Sequence, residues 1–592
     1  MSLIDRCRSL HVLMAMALCA PGVAQVEFRP LVRTGQTVTG MHGGTKFEGI
    51  WGAKRNTSGA VVFNAIISGP QVNSTNDQGV WLVEPDGTIT RIVREGDIAP
   101  GVIPVTTFAE QFIPQIDETG GVAWVGTLTG FPEANNEGIW QRKDGSSRII
   151  AREGTQASGL GQDTYFGEFV TDFIQSEDGA IAFVSEITGV RAVPSDNTGV
   201  WLYSGGALSP IAIEGWPVPG LDGVSYDDFY FRPLRNAFID SSGDLWVWAN
   251  IRGQGVTPQS SVMLIRGNAG GVSIEARLGD ELPGVDGLAQ TGLGGIHAAG
   301  DEGPAMLASF DTPVNPAGIG YGSVVQRGDE DWSILYRANE PLPGIAPDVW
   351  AEGPDAFVVN AQGQLLVSLG LAGGDVTEVD DRGFWLRENG VLRSVWREGA
   401  RVPQFGAEVT WLGQLSVYPT AILCSSGQVV LSTSVAGVRP ASQDPFGAGV
   451  QGVWVVDRMG RTHLLCMFGT DIDVGSGGAQ PDSREIERVH AIYRTDHREV
   501  FALDQTPADS SIRIPLYVEF TDGSEAIVVA DFPEPCPSDW DASGETNSSD
   551  FLAYLNDWLA QQPAADLAPS GGDGAFDSSD FLAFLAIYSA GC

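Results

Sequence analysis

Histidine is scarce in this chain, six in 592 residues, and basic side chains number 34 against 74 acidic ones. No His-x-His, His-Glu-x-x-His or Cys-x-x-Cys spacing occurs, which leaves a zinc site without support. No Gly-x-Ser-x-Gly nucleophile elbow and no phosphate loop stand out. With 76 glycines, a lone Gly-x-Gly-x-x-Gly match carries no weight. The net charge of −40 opposes binding to nucleic acid backbones and to anionic membranes. Nothing after the N-terminus reaches the roughly 18 apolar residues a membrane helix needs, so no membrane span is expected.

The N-terminus has the make-up of an export signal. Arg6 and Arg8 precede the short apolar stretch 11–20, and Gly22-Val23-Ala24 offers small residues for cleavage near Ala24. Residues 1–24 are thus read as a signal peptide, and the mature chain as secreted or held at the cell surface. Cys7 and Cys19 leave with the signal. Cys424, Cys466, Cys536 and Cys592 remain, and an even count in an exported chain permits disulfides without requiring them. Apolar residues at 43% against 18% charged give enough material for a core, and the glycine count suits many short strands joined by tight turns.

Three landmarks recur in fixed order. The first is a turn entering an apolar strand: Asn56-Thr-Ser-Gly59, Asp117-Glu-Thr-Gly120, Ser176-Glu-Asp-Gly179, Asp240-Ser-Ser-Gly243, Asn360-Ala-Gln-Gly363 and Cys424-Ser-Ser-Gly427, with weaker copies at Gly303 and near Arg498. The second is a small-apolar-Trp strand start at Trp81, Trp140, Trp201, Trp385 and Trp454, with Met263, Val325 and Tyr517 in that place elsewhere. The third is a strand ending in Arg-Glu-Gly, as at Gly96, Gly154 and Gly399. The Trp-type positions lie 59 to 69 residues apart, so the unit is a tandem repeat present eight times. Within a unit four strands can be read. Asp-Gly at 144–145 marks the hairpin between the last two.

Four antiparallel strands repeated eight times predict an all-β β-propeller of about eight four-stranded blades over residues 25–532. A β-solenoid is the runner-up and seven blades the nearest alternative count. Leu31-Val-Arg-Thr-Gly35 is an orphan copy of the third landmark and is expected to pair across the seam of the ring, although Ala526–Asp531 already supplies the last unit with its own copy. Cys424 and Cys466 fall on the innermost and outermost strands of one blade. Three spacings of about 4.8 Å exceed disulfide reach, so that pair is expected to stay unbonded. The first landmark resembles the Asn-x-x-Gly-x-x-x-Ala-Phe tandem repeats of exported bacterial proteins with varied C-terminal anchors. That resemblance covers roughly residues 26–532 and implies architecture and export, not an activity.

The repeated Trp and Arg-Glu residues read as architecture: the indoles as blade-packing groups, the Arg-Glu pairs as supports for a turn. Unrepeated segments are better candidates for chemistry. Asp222–Phe231 mixes carboxylates with aromatic rings, as sugar and cation sites do. No catalytic set emerges.

From Cys536 the sequence changes character, and residues 533–592 read as a separate small helical module. Asp539, Asp541, Ser543, Asn547 and Asp550 put oxygen ligands at positions 1, 3, 5, 9 and 12 of a loop with Gly544 at position 6, and Glu545 adds its carbonyl. A helix carrying Phe551, Leu552, Leu555, Trp558 and Leu559 follows, and Asp577–Phe584 nearly copies its start. This duplication resembles a dockerin of the type bracketed by Cys-Pro and Gly-Cys. The resemblance implies calcium in the first loop, a Cys536–Cys592 disulfide and a cohesin-like or cell-surface partner. The second loop, from Asp566, carries three extra residues, and its calcium stays open. Two functions remain in view: a non-enzymatic binding or scaffolding propeller displayed through this module, with extracellular glycan as a ligand, or an extracellular polysaccharide-active enzyme on the same ring.

Overall fold

A computed structural model describes residues 26–590 except 111, 170–172, 190–196, 231–236, 286–289, 298–302, 311–321, 329–330, 339–341, 343–344, 347, 361, 378, 403–409, 413–419, 425, 438–448, 476–481, 493–500, 504–510, 534–535, 541–545, 560–562 and 569–575. The signal-peptide reading lies outside these residues. The strands form eight sheets over residues 46–94, 113–152, 164–213, 224–277, 290–337, 349–397, 410–467 and 483–533, called blades 1 to 8 here, all antiparallel except that Phe501–Leu503 adds in parallel to the first strand of blade 7. The architecture is an all-β, eight-bladed propeller, followed by two short helices, α1 (Ser548–Leu559) and α2 (Ser578–Ala590).

The second strand of each blade explains why a continuous apolar run, rather than strict alternation, marks the repeat. In blade 1, Val61, Phe63, Ala65 and Ile67 face blade 8, while Ala60 and Val62 face blade 2. Both faces are covered, so both need apolar side chains. Eight apolar clusters result, one between each pair of consecutive blades, and the eighth joins blade 8 to blade 1. A ring has as many joints as blades. An open solenoid would have one fewer, so that alternative falls.

The seam differs from the expected one in a single respect. Glu27–Arg33 pairs antiparallel with Glu525–Pro533, as anticipated, but it is the fourth strand of blade 8 rather than an addition to four. Ala526–Asp531 lies on the third strand, and Val528 occupies the place assigned to Tyr517, which is on the second. Blade 4 shifts likewise: Ile265, not Met263, sits opposite the register break that marks the Trp place. That break recurs in every blade. One residue of the fourth strand is skipped beside the Trp position, Ile92 in blade 1, Ile150 in blade 2 and Leu31 in blade 8. Such a bulge strengthens local twist and bends the outer strand.

Packing accounts for the "small" residue of the second landmark. A Cβ on Gly79, Gly138, Gly199, Gly383 or Gly452 would fall 2.5–3.0 Å from the indole two residues ahead, which folds back over its own strand. In blades 2 and 3 the indole N–H donates 3.1 Å to the Pro100 and Ser158 carbonyls. The third landmark links blades instead: the amides of Gly35, Gly154, Gly215 and Gly399 each donate to the inner strand of the next blade, and that of Gly96 donates to Phe108 just ahead of it. In blade 2 its Arg and Glu each bond to the backbone. Glu153 accepts the Glu137 amide at 2.9 Å while Arg152 donates to the Asn135 carbonyl, so both brace the connection before the Trp strand. Burial pushes the Glu153 carboxyl up, against the pull of those amides.

Cys424 and Cys466 lie on the first and fourth strands of blade 7 and form no disulfide, as their separation required.

Candidate functional site

Asn56 shows what the leading residue of the repeat does. Its Oδ1 accepts the Ala60 amide at 3.0 Å, closing its own turn, and its Nδ2 donates to the Asp117 carbonyl in the next blade at 3.1 Å. Asn360 does the same, accepting the Gln364 amide at 3.0 Å and donating 2.9 Å to the Cys424 carbonyl at the end of an inner strand of blade 7. A side-chain amide can accept in one blade and donate to another, which a carboxylate cannot. These polar groups are fastened into joints, so a binding site must draw on residues outside the repeat pattern.

In the described part of the Asp222–Phe231 segment the aromatic rings are separated from the exposed carboxylates Asp222 and Asp228. Tyr226 and Phe229 are buried between blades 3 and 4, and burial raises the Tyr226 hydroxyl to about 12. Asp227 pairs with Arg252 at 2.7 Å.

A cavity of about 260 Å³ lies instead between blades 1 and 2, lined by Trp51, Asn64, Gln78, Gly79, Glu110 and Phe112. Trp51 sits at a break in the inner strand of blade 1, where pairing jumps from Trp51–Asn64 to Lys54–Val62. Gly52 occupies the break with φ +62°, and a Cβ there would come within 2.9 Å of the Asn64 amide nitrogen. The break thus clears room for Asn64 and leaves the Trp51 indole 40% exposed. None of these residues was singled out from the sequence. The available signal was an amide at Asn64, where the same register holds Val125 in blade 2 and Val184 in blade 3.

The C-terminal module is seated on blade 7. Its core is Trp540, Tyr554, Ala565 and Phe584, with Met459 of the blade 7 turn packed against it. The rings of Tyr554 and Phe584 stack at 3.9 Å. Arg461 joins the two parts: its Nε donates to Asp457 Oδ2 at 2.7 Å, its Nη1 donates to the Asp539 carbonyl at 2.7 Å, and its guanidinium lies 5.5 Å from the Trp540 ring. Burial raises the Asp457 carboxyl, but the His463 hydrogen bond and the Arg461 charge outweigh it and hold it low.

Of the calcium-loop residues, Asp539, Asn547 and Asp550 are described; Asp541, Ser543, Glu545 and Cys592 lie outside the described residues. Asp539 and Asp550 are buried at the two ends of the loop, at 4% and 0% exposure. Asp550 Oδ2 accepts the Asn547 amide at 2.7 Å. Two buried carboxylates closing one short loop are a donor set that suits a hard cation. Among the described residues no group of three or more metal-binding side chains assembles. In the second loop Asp580 uses both oxygens on backbone amides, those of Leu567, Ala568 and Asp577. The α1 face expected from helical spacing is only partly inward: Tyr554 is buried, while Leu552 and Leu559 are exposed, as is Leu582 on α2.

These features define a closed propeller carrying a seated helical module. The chain belongs to a family of unknown function (DUF7453), whose model matches residues 22–132, 104–309 and 301–538. No curated protein is similar to it in sequence. Among solved structures it is similar to a PL25 polysaccharide lyase described as an ulvan lyase, at 11% identity over 70% of this chain and 92% of that one, with a TM-score of 0.27. It is also similar to the Pyrococcus horikoshii acylaminoacyl peptidase, at 10% identity over 90% and 69% with a TM-score of 0.30. A third is the exo-β-1,3-galactanase 1,3Gal43A from Clostridium thermocellum, at 11% identity over 70% and 80% with a TM-score of 0.20. Likeness of this degree transfers neither substrate nor mechanism. No described helix is long and apolar enough to cross a membrane.

Proposed function

We propose that the protein is an exported binding or scaffolding propeller, with extracellular glycan as its ligand, displayed through a calcium-binding C-terminal module of dockerin type. The observation that carries this reading is the seating of the module. Arg461 ties the Asp539 carbonyl to a buried Asp457 on blade 7, so whatever holds the module also fixes the orientation of the ring. Calcium would be held by Asp539, Asp541, Ser543, Asn547 and Asp550, with the Glu545 carbonyl, and would supply the positive charge that lets these carboxylates converge. Cys536 is set apart from the free thiols Cys424 and Cys466, which supports a Cys536–Cys592 disulfide. Exposed Leu552, Leu559 and Leu582 support a cohesin-like or cell-surface partner for the helices.

The alternative, a polysaccharide-active enzyme, draws its support from the Glu110 carboxylate lining the same cavity as Trp51. One experiment separates the two. The mature chain is incubated with insoluble neutral polysaccharides, and both co-sedimented protein and released reducing ends are measured. Co-sedimentation without product is the expected result. Product that disappears in Glu110→Gln would replace the binding reading with the enzymatic one.

A further inference from the structure

We infer that the cavity between blades 1 and 2 is a subsite for one pyranose unit of an uncharged glycan, with Trp51 as stacking platform and the Asn64 amide as hydroxyl reader; this rests on the glycan-binding reading above. Asn64 is 6% exposed, and among the described residues its side chain makes no hydrogen bond. The amide lines the cavity, where water or a ligand group can complete it. Its oxygen accepts and its nitrogen donates, which suits two neighbouring sugar hydroxyls, each able to do either. Water can occupy the same place in the free protein and be displaced by those hydroxyls.

The aromatic partner is placed for this chemistry. Trp51 is 40% exposed at the cavity, unlike Trp81, Trp124 and Trp140, which are buried in the blade joints. An indole presents a flat apolar face that the C–H face of a pyranose can cover. At about 260 Å³ the cavity falls below the roughly 300–1,000 Å³ of drug-sized pockets and suits a single ring rather than a buried chain. Charge narrows the ligand further. Glu110 lines the cavity and the chain as a whole carries −40, so uronate or sulfate groups would be repelled.

Saturation-transfer NMR on the mature chain tests this with neutral gluco-, galacto-, manno- and N-acetylglucosamine oligosaccharides and with glucuronate-containing and sulfated ones. At least one neutral oligosaccharide is expected to bind, and both Trp51→Ala and Asn64→Val should weaken it at least tenfold. Asn64→Val places the residue of blades 2 and 3 in the same register, so its melting temperature should hold and exclude misfolding as the cause. Trp350→Ala, at an exposed indole on blade 6, should bind as the parent does. Neutral-sugar binding that survives both cavity substitutions overturns the subsite and leaves the glycan reading standing. Preference for the charged glycans overturns the assigned ligand class. Silence from every sugar overturns the subsite and the glycan reading together.

Discussion

Each blade of the ring packs against two neighbours through clusters of a dozen or more buried residues, whereas the C-terminal helices share one cluster centred on Trp540, Tyr554 and Phe584. In the ring, both faces of the second strand are buried and the same joint is built eight times. In the module, a segment of 60 residues has four buried apolar side chains among the described residues and sets leucines on its outer faces. Small cores of this kind generally depend on a metal or a disulfide. The contrast teaches where each part should be vulnerable: the ring at its single non-repeated closure, the module at its acidic loop and its contact with blade 7.

The largest effect should follow from deleting residues 26–35. Without Glu27–Arg33 the third strand of blade 8 becomes an open edge, and Leu31 and Val32 leave the cluster joining blades 8 and 1. An exposed edge beside uncovered apolar surface favours association between chains. The expected outcome is a chain that aggregates on gel filtration and lacks a cooperative melt. A monomeric variant with the parental melting temperature would show that the ring needs no closure, and the contrast with the module would lose its first term.

Calcium should act on the other part. In differential scanning calorimetry of the mature chain, a transition of the module should rise with calcium while that of the ring stays in place. Binding to the folded form alone, at a hundredfold excess over the dissociation constant, contributes about 2.7 kcal/mol. Asp550→Ala should abolish most of this response, because position 12 of such a loop commonly provides two oxygens and here also accepts the Asn547 amide at the start of α1. If calcium raised the ring transition equally, Arg461 would be coupling both parts into one cooperative unit. If calcium moved neither, the loop would be an acidic turn only.

The period, the four strands and the eight blades were legible because each repeats, so an error in one copy is corrected by the others. The fourth strand of blade 8 was misassigned for the opposite reason. The chain supplies it from 500 residues upstream, and the local pattern at Ala526–Asp531 looks complete by itself. The sites were harder to read. The proposed calcium loop is contiguous, so spacing alone could suggest it. The Trp51 cavity is built from four separate stretches of chain in two blades, and only register converts Asn64 from an ordinary strand residue into an amide standing where blades 2 and 3 carry valine. Arg461 was invisible for the same reason: its partners at 457 and 539 meet only when the module docks.

The smallest effect tests whether the joints between blades are as interchangeable as their repetition implies. Blade 1 opens its turn with Asn56 and blade 2 with Asp117, and each carboxamide or carboxylate oxygen accepts the amide four residues on, at 3.0 and 2.7 Å. The two differ toward their neighbours. Asn56 donates to the Asp117 carbonyl, while buried Asp117 cannot donate and has Lys143 Nζ 3.7 Å from its Oδ2. The residue in the register of Lys143 in blade 1 is Glu84. Asn56→Asp should therefore keep its own turn, lose one interblade bond and set a second carboxylate beside Glu84, lowering stability by about 1–2 kcal/mol. Adding Glu84→Lys recreates the pairing of blade 2 and should recover the electrostatic part of that loss but not the missing donor. Chemical denaturation of the three variants measures both steps. Full recovery in the double variant would mean that the Asn56 donor contributes nothing to the joint, and no loss in the single variant would mean that blades 1 and 2 are held by their apolar clusters alone.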